Sequence, residues 1–356
     1  MLQRKRFRTK NNTAILSRWD MTNTIKDVAK KANVSIATVS RILNDQGGYS
    51  EKTKFKVLKV IEELGYQPNA VARGLINKRT HTIGVLFPKL SSSLVTDLLD
   101  GIEKAANDNG SSVIVCHTES NGEKTMKYLQ LLIEKRVDGI IFASEILKEE
   151  YYQFVAKTKM PIILLSTESY AYPVPFVKVN DFHAAYAAAK YLIGKGHTKI
   201  GMISGKKDDI IAGIPRIEGF KKALSDHGIS LGSENVVFSR GFAFPDGIEG
   251  LKKLIGQFPD VTAIFAASDE MAIGALSAAY QLGIKVPDEI SVMGYDNLNL
   301  AEMSIPPLTT VGQPLAKMGE AAAEMLFTIM ETGEIPESRI MPHRIIERMS
   351  VKERKK

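Results

Sequence analysis

From Thr80 onward the chain alternates short apolar runs with amphipathic stretches of helical period, the pattern of parallel α/β units whose buried strands read as continuous apolar segments. Strands are expected at 83–87, 112–116, 139–143 and 162–165. A second series follows at 177–180, 200–204, 236–238, 263–266 and 291–294. Helices are expected between them, among others at 94–109, 123–135, 182–194, 217–227 and 270–282. About 270 residues carrying two successive series of strands point to two doubly wound lobes. A single closed barrel is the competing arrangement, and the sequence alone leaves it open. In doubly wound folds ligands sit at the carboxyl ends of the strands, here in a cleft between lobes.

Ahead of this body the charge changes. Residues 1–80 carry 17 Lys and Arg against 6 Asp and Glu, a net +11, which leaves −4 for the remainder of a chain whose total is +7. Solubility alone predicts no such segregation, whereas a basic head neutralises phosphates and binds nucleic acid in a salt-dependent way. Within that head, 24–44 reads as two short helices joined by a tight turn. Thr24 caps the first, with Asp27 at its positive end and Val28, Ala29 and Ala32 as its apolar face. Asn33 breaks the pattern, and Ser35 caps a second helix whose Val39, Ile42 and Leu43 point inward. Ser35, Ile36, Ala37, Thr38, Ser40 and Arg41 are left outward. Short hydroxyls at a helix N-terminus donate to phosphates, and an arginine in the major groove can bond O6 and N7 of one guanine together. An ordinary amphipathic hairpin is the alternative. A third helix follows, with Ser50 as cap, Phe55, Val57, Leu58, Ile61 and Leu64 as its expected buried stripe, and Gly65 as terminator.

The runs Thr-Ile-x-Asp-Val-Ala, Val-Ser-x-x-Thr-Val-Ser-Arg and Leu-Gly-Tyr-x-Pro-Asn-x-x-Ala-Arg, met in that order, resemble the lactose/galactose repressor family, and the resemblance extends from Thr24 to the C-terminus. It implies a bacterial transcription regulator with a helix-turn-helix headpiece, a hinge helix and a two-lobed core similar to type I periplasmic sugar-binding proteins. It implies further that Ile36, Ala37 and Arg41 read bases, while Ser35, Thr38, Ser40 and Asn44 hold the backbone. Pro68 and Asn69 stop the third helix and start a hinge too short to persist alone in water. The resemblance places Leu75 between base steps of the minor groove, with Ala72 letting two hinge helices approach. The expected division is a disordered basic extension at 1–20, a headpiece at 21–66, a hinge at 67–79 and a core at 80–356. The core divides into about 80–177 with 312–338 and about 178–311 with 339–352.

Polar residues just past strand ends are the candidate ligand contacts: Ser93, Arg216, Ser268, Asp269 and Asp296. Carboxylates accepting from hydroxyls, with an arginine that donates, suit a sugar. Asp269 as a helix cap and Asp296 as a turn residue are the plainer readings. Ser91-Ser92-Ser93 replace the Asn-Pro-Phe common in the family, so the ligand stays open, and Lys206 and Lys207 leave room for a phosphorylated sugar. The recognition helix is similar to the catabolite-control branch, which uses a phosphorylated carrier protein as corepressor. Arg216 and the apolar Ile305, where that branch presents a basic residue, favour a small effector instead.

Nothing points to catalysis. A lone cysteine, Cys116, excludes a disulfide framework and suits a reducing cytoplasm. The six histidines, His81, His197 and His343 among them, lack metal-ligand spacing. There is neither a phosphate-cradling glycine loop with its lysine nor a nucleophile elbow. No metal or cofactor is expected, and no signal peptide or membrane span is evident. The expected protein is a cytoplasmic, homodimeric repressor that reads a near-palindromic operator under control of a sugar-like effector. A soluble sugar-binding protein or sugar-metabolising enzyme is the rival from another class, and the basic headpiece counts against it.

Overall fold

The computed structural model describes residues 23–66, 79–119 and 124–354, and the chain divides into one unit up to Thr80 and a second from His81. The extension at 1–20 and the hinge residues Ala72 and Leu75 lie outside the described residues.

The first unit is a three-helix headpiece: α1 (Ile25–Ala32), α2 (Ile36–Leu43) and α3 (Glu51–Leu64). At the start of α1, the Asp27 carboxylate accepts from both the backbone N–H and the hydroxyl of Thr24, at 2.8 and 2.7 Å. These bonds hold the Asp27 carboxyl below its ordinary pKa. Asn33 ends α1 in the left-handed region (φ 51°), which Asn tolerates, and the N–H of Val34 closes the turn on the Ala29 carbonyl at 3.0 Å. Val28, Ala29, Ala32, Val39, Ile42, Val57 and Val60 form the small core.

The expected stripe on α3 needs correction. Val57 is buried, but Phe55 is 74% and Leu58 46% exposed, and Val60 takes the inner place. Val57, Val60, Ile61 and Leu64 repeat at i, i+3, i+4 and i+7, so they share one face. Phe55 and Leu58 form a separate i, i+3 pair on the outer side.

The second unit is the α/β body. Its first lobe begins β1 (Thr82–Phe87), α4 (Ser93–Asp108), β2 (Ser112–His117), α5 (Thr125–Glu134), β3 (Gly139–Ala143), α6 (Glu149–Thr158), β4 (Ile162–Leu165) and β5 (Phe176–Val179). The second continues α7 (Asp181–Gly194), β6 (Ile200–Ser204), α8 (Gly213–Asp226), β7 (Val236–Phe238), α9 (Phe244–Gln257), β8 (Ala263–Ala266), α10 (Asp269–Gln281), β9 (Ser291–Asp296), α11 (Asn299–Met303) and β10 (Thr309–Gly312). Then come α12 (Leu315–Thr332), β11 (Arg339–Met341) and β12 (Arg344–Ile346). The sheets are open, ordered β11-β5-β4-β3-β1-β2 and β12-β10-β9-β8-β6-β7, and parallel except for the β10–β12 pair. That excludes the closed barrel.

The chain crosses between sheets three times: after β5, after β10 and between β11 and β12. Because β11 pairs with β5, the last crossing falls at Pro342-His343, not ahead of residue 339 as expected. After the second crossing α12 returns to the first lobe and packs on α4 at backbone distance. A β-carbon on Gly101 would stand 1.8 Å from the Ala316 carbonyl oxygen, and one on Gly319 2.0 Å from that of Leu98. Only glycine permits this approach.

In both sheets the first five strands run in the order 2-1-3-4-5, so the switch points lie between β1 and β3 and between β6 and β8. The loops leaving those strands line the body's cavity.

Candidate nucleic-acid interface and ligand cavity

On the headpiece, Ser35, Ile36, Ala37, Arg41 and Asn44 are exposed, while Thr38 and Ser40 are half-buried. The Ser35 hydroxyl accepts from the backbone N–H of Thr38 at 3.0 Å and lies 2.8 Å from its hydroxyl. Asn44 Nδ2 donates to Ser40 Oγ at 3.4 Å. All seven expected residues therefore belong to one helix and its caps. Arg41 has no ion-pair partner among the described residues. The loop behind it is fixed by Asp45, whose Oδ1 accepts from Tyr49 Oη at 2.7 Å and Lys54 Nζ at 3.2 Å. The hydroxyls of this face are thus tied to one another and to the helix caps, and Arg41 is the exposed cation at its outer end.

The body encloses a cavity of about 240 Å³ between its two sheets. Arg216, near the start of α8, is its best-defined wall. The guanidinium lies 3.7 Å above the centroid of Tyr295 and 5.8 Å from that of Phe242. Its Nε donates to Asp181 Oδ1 at 2.9 Å and Nη1 to the Ala267 carbonyl at 2.5 Å. Burial works against the charge, yet Asp181, Tyr295 and Asp296 together keep the arginine's pKa above its ordinary value. Two of its five N–H donors are thereby used.

Asp296 also lines the cavity, at the end of β9, with φ 124°. Gln313 Nε2 donates to its Oδ1 at 2.7 Å. Burial raises the Asp296 carboxyl well above the carboxylate range; Arg216 and Gln313 oppose this and Asp269 adds to it.

Ser268 lines the cavity, but its hydroxyl is committed: it accepts from the Met271 N–H at 3.1 Å and donates to the Phe242 carbonyl at 2.7 Å. Asp269 and Ser93 are not among the lining residues. Asp269 is fully buried, taking the Leu298 N–H at 2.7 Å and the Thr310 hydroxyl at 2.5 Å. Burial pushes its carboxyl up to about 7 despite those two bonds. Beside Ser93, Ser92 does line the cavity, and its hydroxyl donates across the cleft to Glu270 Oε1 at 2.9 Å.

Residues not expected from sequence complete the site. Asp181 at the start of α7 joins Arg216 to Tyr295, whose Oη donates to Asp181 Oδ1 at 3.0 Å. Lys178 of β5 pairs with Glu168 at 2.7 Å and lies 3.7 Å from Asp181. Asp181 follows a strand end and so carries the same signal as the residues expected. Gln313 follows β10, a strand whose short Thr-Thr-Val-Gly run hides it. Lys178 gives no signal beyond a charged residue inside an apolar strand.

Residues 80–349 match the family described as periplasmic binding proteins and sugar binding domain of LacI family, and residues 24–69 match bacterial regulatory proteins, lacI family. The chain belongs to the lacI family of bacterial regulatory proteins. Catabolite control protein A of Priestia megaterium is 36% identical over 93% of this chain and 100% of its own length. The HTH-type transcriptional regulator DegA of Bacillus subtilis (strain 168) is 40% identical over 84% of this chain and 89% of its own. The solved dimer of the lac repressor, bound to operator and the anti-inducer ONPF, aligns with TM-score 0.85 at 27% identity, over 93% of this chain and 100% of that one. This lacI-family chain is accordingly a DNA-binding transcriptional regulator with an effector-binding body, not an enzyme. Among the described residues no helix is long and apolar enough to cross a membrane, and no group of three or more His, Cys, Asp or Glu is arranged to hold a metal. His197 is built into the second lobe, its ring nitrogens 3.0 Å from Thr262 Oγ1 and from the Lys352 carbonyl.

Proposed function

We propose that the chain is a cytoplasmic repressor, acting as a homodimer on a near-palindromic operator, whose DNA affinity is set by a sugar or sugar-like effector held in the body's cavity. Ile36, Ala37 and Arg41 read base edges, and Ser35, Thr38, Ser40 and Asn44 position the helix on phosphates. In this reading Ala72 and Leu75 belong to the paired hinge that enters the minor groove. The observation that carries the effector is Arg216: a buried guanidinium, stacked on Tyr295, with donors left over beside carboxyl and amide groups. Phe242 adds a ring wall suited to the C–H face of a pyranose. Asp296 and Gln313 are the further polar contacts, with Ser268 as wall and Asp269 as the support beneath. The effector acts through its differential affinity for the operator-competent and operator-incompetent states.

A protein corepressor is the second reading, favoured by the relative in Priestia megaterium. Ile305, 92% exposed, stands uncharged where the catabolite-control branch presents a basic residue, so the small effector ranks first. The test is selection of an operator from random duplexes, then fluorescence anisotropy against salt and a sugar panel. Steep salt dependence and an affinity change of about tenfold or more with one sugar are expected. Arg216→Ala should abolish the sugar response and keep operator binding. Loss of sequence preference throughout, or no sugar response in the native chain, rejects the reading.

A further inference from the structure

The two walls of the cavity differ in chemistry. On the first lobe, β3, β4 and β5 end side by side. Ala143 is paired with Leu165 and Leu165 with Val177, so the next positions across three neighbouring strands are Ser144, Ser166 and Lys178. All three line the cavity. Adjacent strands lie about 4.8 Å apart, close enough for one small group to be shared by neighbouring side chains. The second lobe presents the carboxyl groups of Asp209, Glu270 and Asp296 instead.

The donor row is unspent in one place and exchangeable in another. The Ser166 hydroxyl is buried with no hydrogen-bond partner among the described residues. A buried polar group left so is costly unless a ligand satisfies it. Lys178 is 5% exposed between Val177 and Val179, a position at which lysine is rare without a partner. Its close partner, Glu168, is not part of the cavity wall and comes from the loop after β4. Asp181 lies at 3.7 Å but is already held by Arg216 and Tyr295.

We propose that the effector is a sugar acid, a polyhydroxylated molecule with one carboxylate, which Lys178 and Ser166 receive with Ser144 alongside while the second lobe's carboxyl groups take the hydroxyls. This rests on the effector-cavity reading above. The incoming carboxylate takes Lys178 over from Glu168 and gives Ser166 its missing acceptor. A neutral sugar leaves the Lys178–Glu168 pair as it is. A phosphate brings a second charge that Lys178 alone does not balance, and because Lys89 also lines this wall, glucose 6-phosphate is the ligand that separates the two kinds of anion.

The experiment is isothermal titration of the full chain with galacturonate, gluconate, galactose, glucose and glucose 6-phosphate. At least one acid should bind about tenfold or more tightly than its neutral counterpart, the size expected for charge-assisted hydrogen bonds. Lys178→Gln should remove that preference. Glu168→Gln, at a residue outside the cavity lining, should tighten the acid by freeing Lys178, and it stands as the test should Lys178→Gln not fold. Neutral sugars or the phosphate matching the acids, an acid preference that survives Lys178→Gln, or an unchanged acid affinity in Glu168→Gln would overturn the assignment. If no sugar of any kind binds, the effector-cavity reading itself has failed.

Discussion

Replacing Asp181 by Ala should be among the most damaging single changes in the body, although the residue lies at a helix start. Asp181 Oδ1 accepts from Arg216 Nε at 2.9 Å and from Tyr295 Oη at 3.0 Å, and Oδ2 faces Lys178 at 3.7 Å. All four groups are buried. The substitution leaves Arg216 with the Ala267 carbonyl, the face of Tyr295 and the more distant Asp296 but no hydrogen-bonded carboxylate, and it orphans the tyrosine hydroxyl. Breaking a buried pair from one side costs about 3–5 kcal/mol, because the remaining charge stays buried without compensation. For a body of this size that is a fall of roughly 6–20 °C in the melting temperature. The double change Asp181→Leu with Arg216→Met should recover most of the loss, since neither charge then remains. Differential scanning calorimetry of all three proteins reads the effect. A loss below about 1 kcal/mol in Asp181→Ala would refute the reasoning, placing Arg216 in contact with solvent and the pair among surface bridges of small worth.

Three further outcomes are expected. On α3, Phe55→Lys should change stability by no more than about 0.5 kcal/mol, whereas Val60→Ala should cost about 1–3 kcal/mol in urea unfolding of the headpiece; equal costs would restore Phe55 to the core. Arg41→Ala should erase preference for one base pair, worth about 1–3 kcal/mol, while salt-dependent nonspecific binding persists. Uniform loss across all sequences would make Arg41 a phosphate contact. The Asp269 carboxyl, raised to about 7 in the folded chain, stabilises fully below the unfolded value of 3.8 and loses that contribution as pH rises through 7. Wild type should therefore lose about 1.4 kcal/mol per pH unit relative to Asp269→Asn between about pH 4 and 7. Urea midpoints measured across that range that run parallel for the two proteins would show that the carboxylate is ionised throughout.

Much of the fold is written in periodicity, and the exceptions have physical causes. β3, β4, β6, β7 and β8 are legible to the residue because continuous apolar runs have no other use in a body of this size. β10, β11 and β12 escape notice because they are three or four residues long and carry Thr, Arg and Gly. On α3, six residues hydrophobic enough to be inside compete for a face wide enough for four, and propensity does not say which stripe turns inward.

The cavity was legible by position and not by partner. Polar residues after strand ends are the right population, but a carboxyl there either faces the ligand or supports the wall. Asp296 and Asp269 differ in what lies across from them: Gln313 and the cavity for one, Leu298 and Thr310 for the other. Backbone conformation separates such cases and leaves no compositional trace. Ser144 and Ser166 (φ 54° each), Asp296 (φ 124°) and Asn297 (φ 64°) all hold positive φ at strand ends without glycine. Outside glycine this conformation is costly and is maintained where the surrounding structure imposes it. Three of these four residues line the cavity. The strain and the unpartnered Ser166 hydroxyl therefore fall in one place, where a bound carboxylate would satisfy that buried hydroxyl.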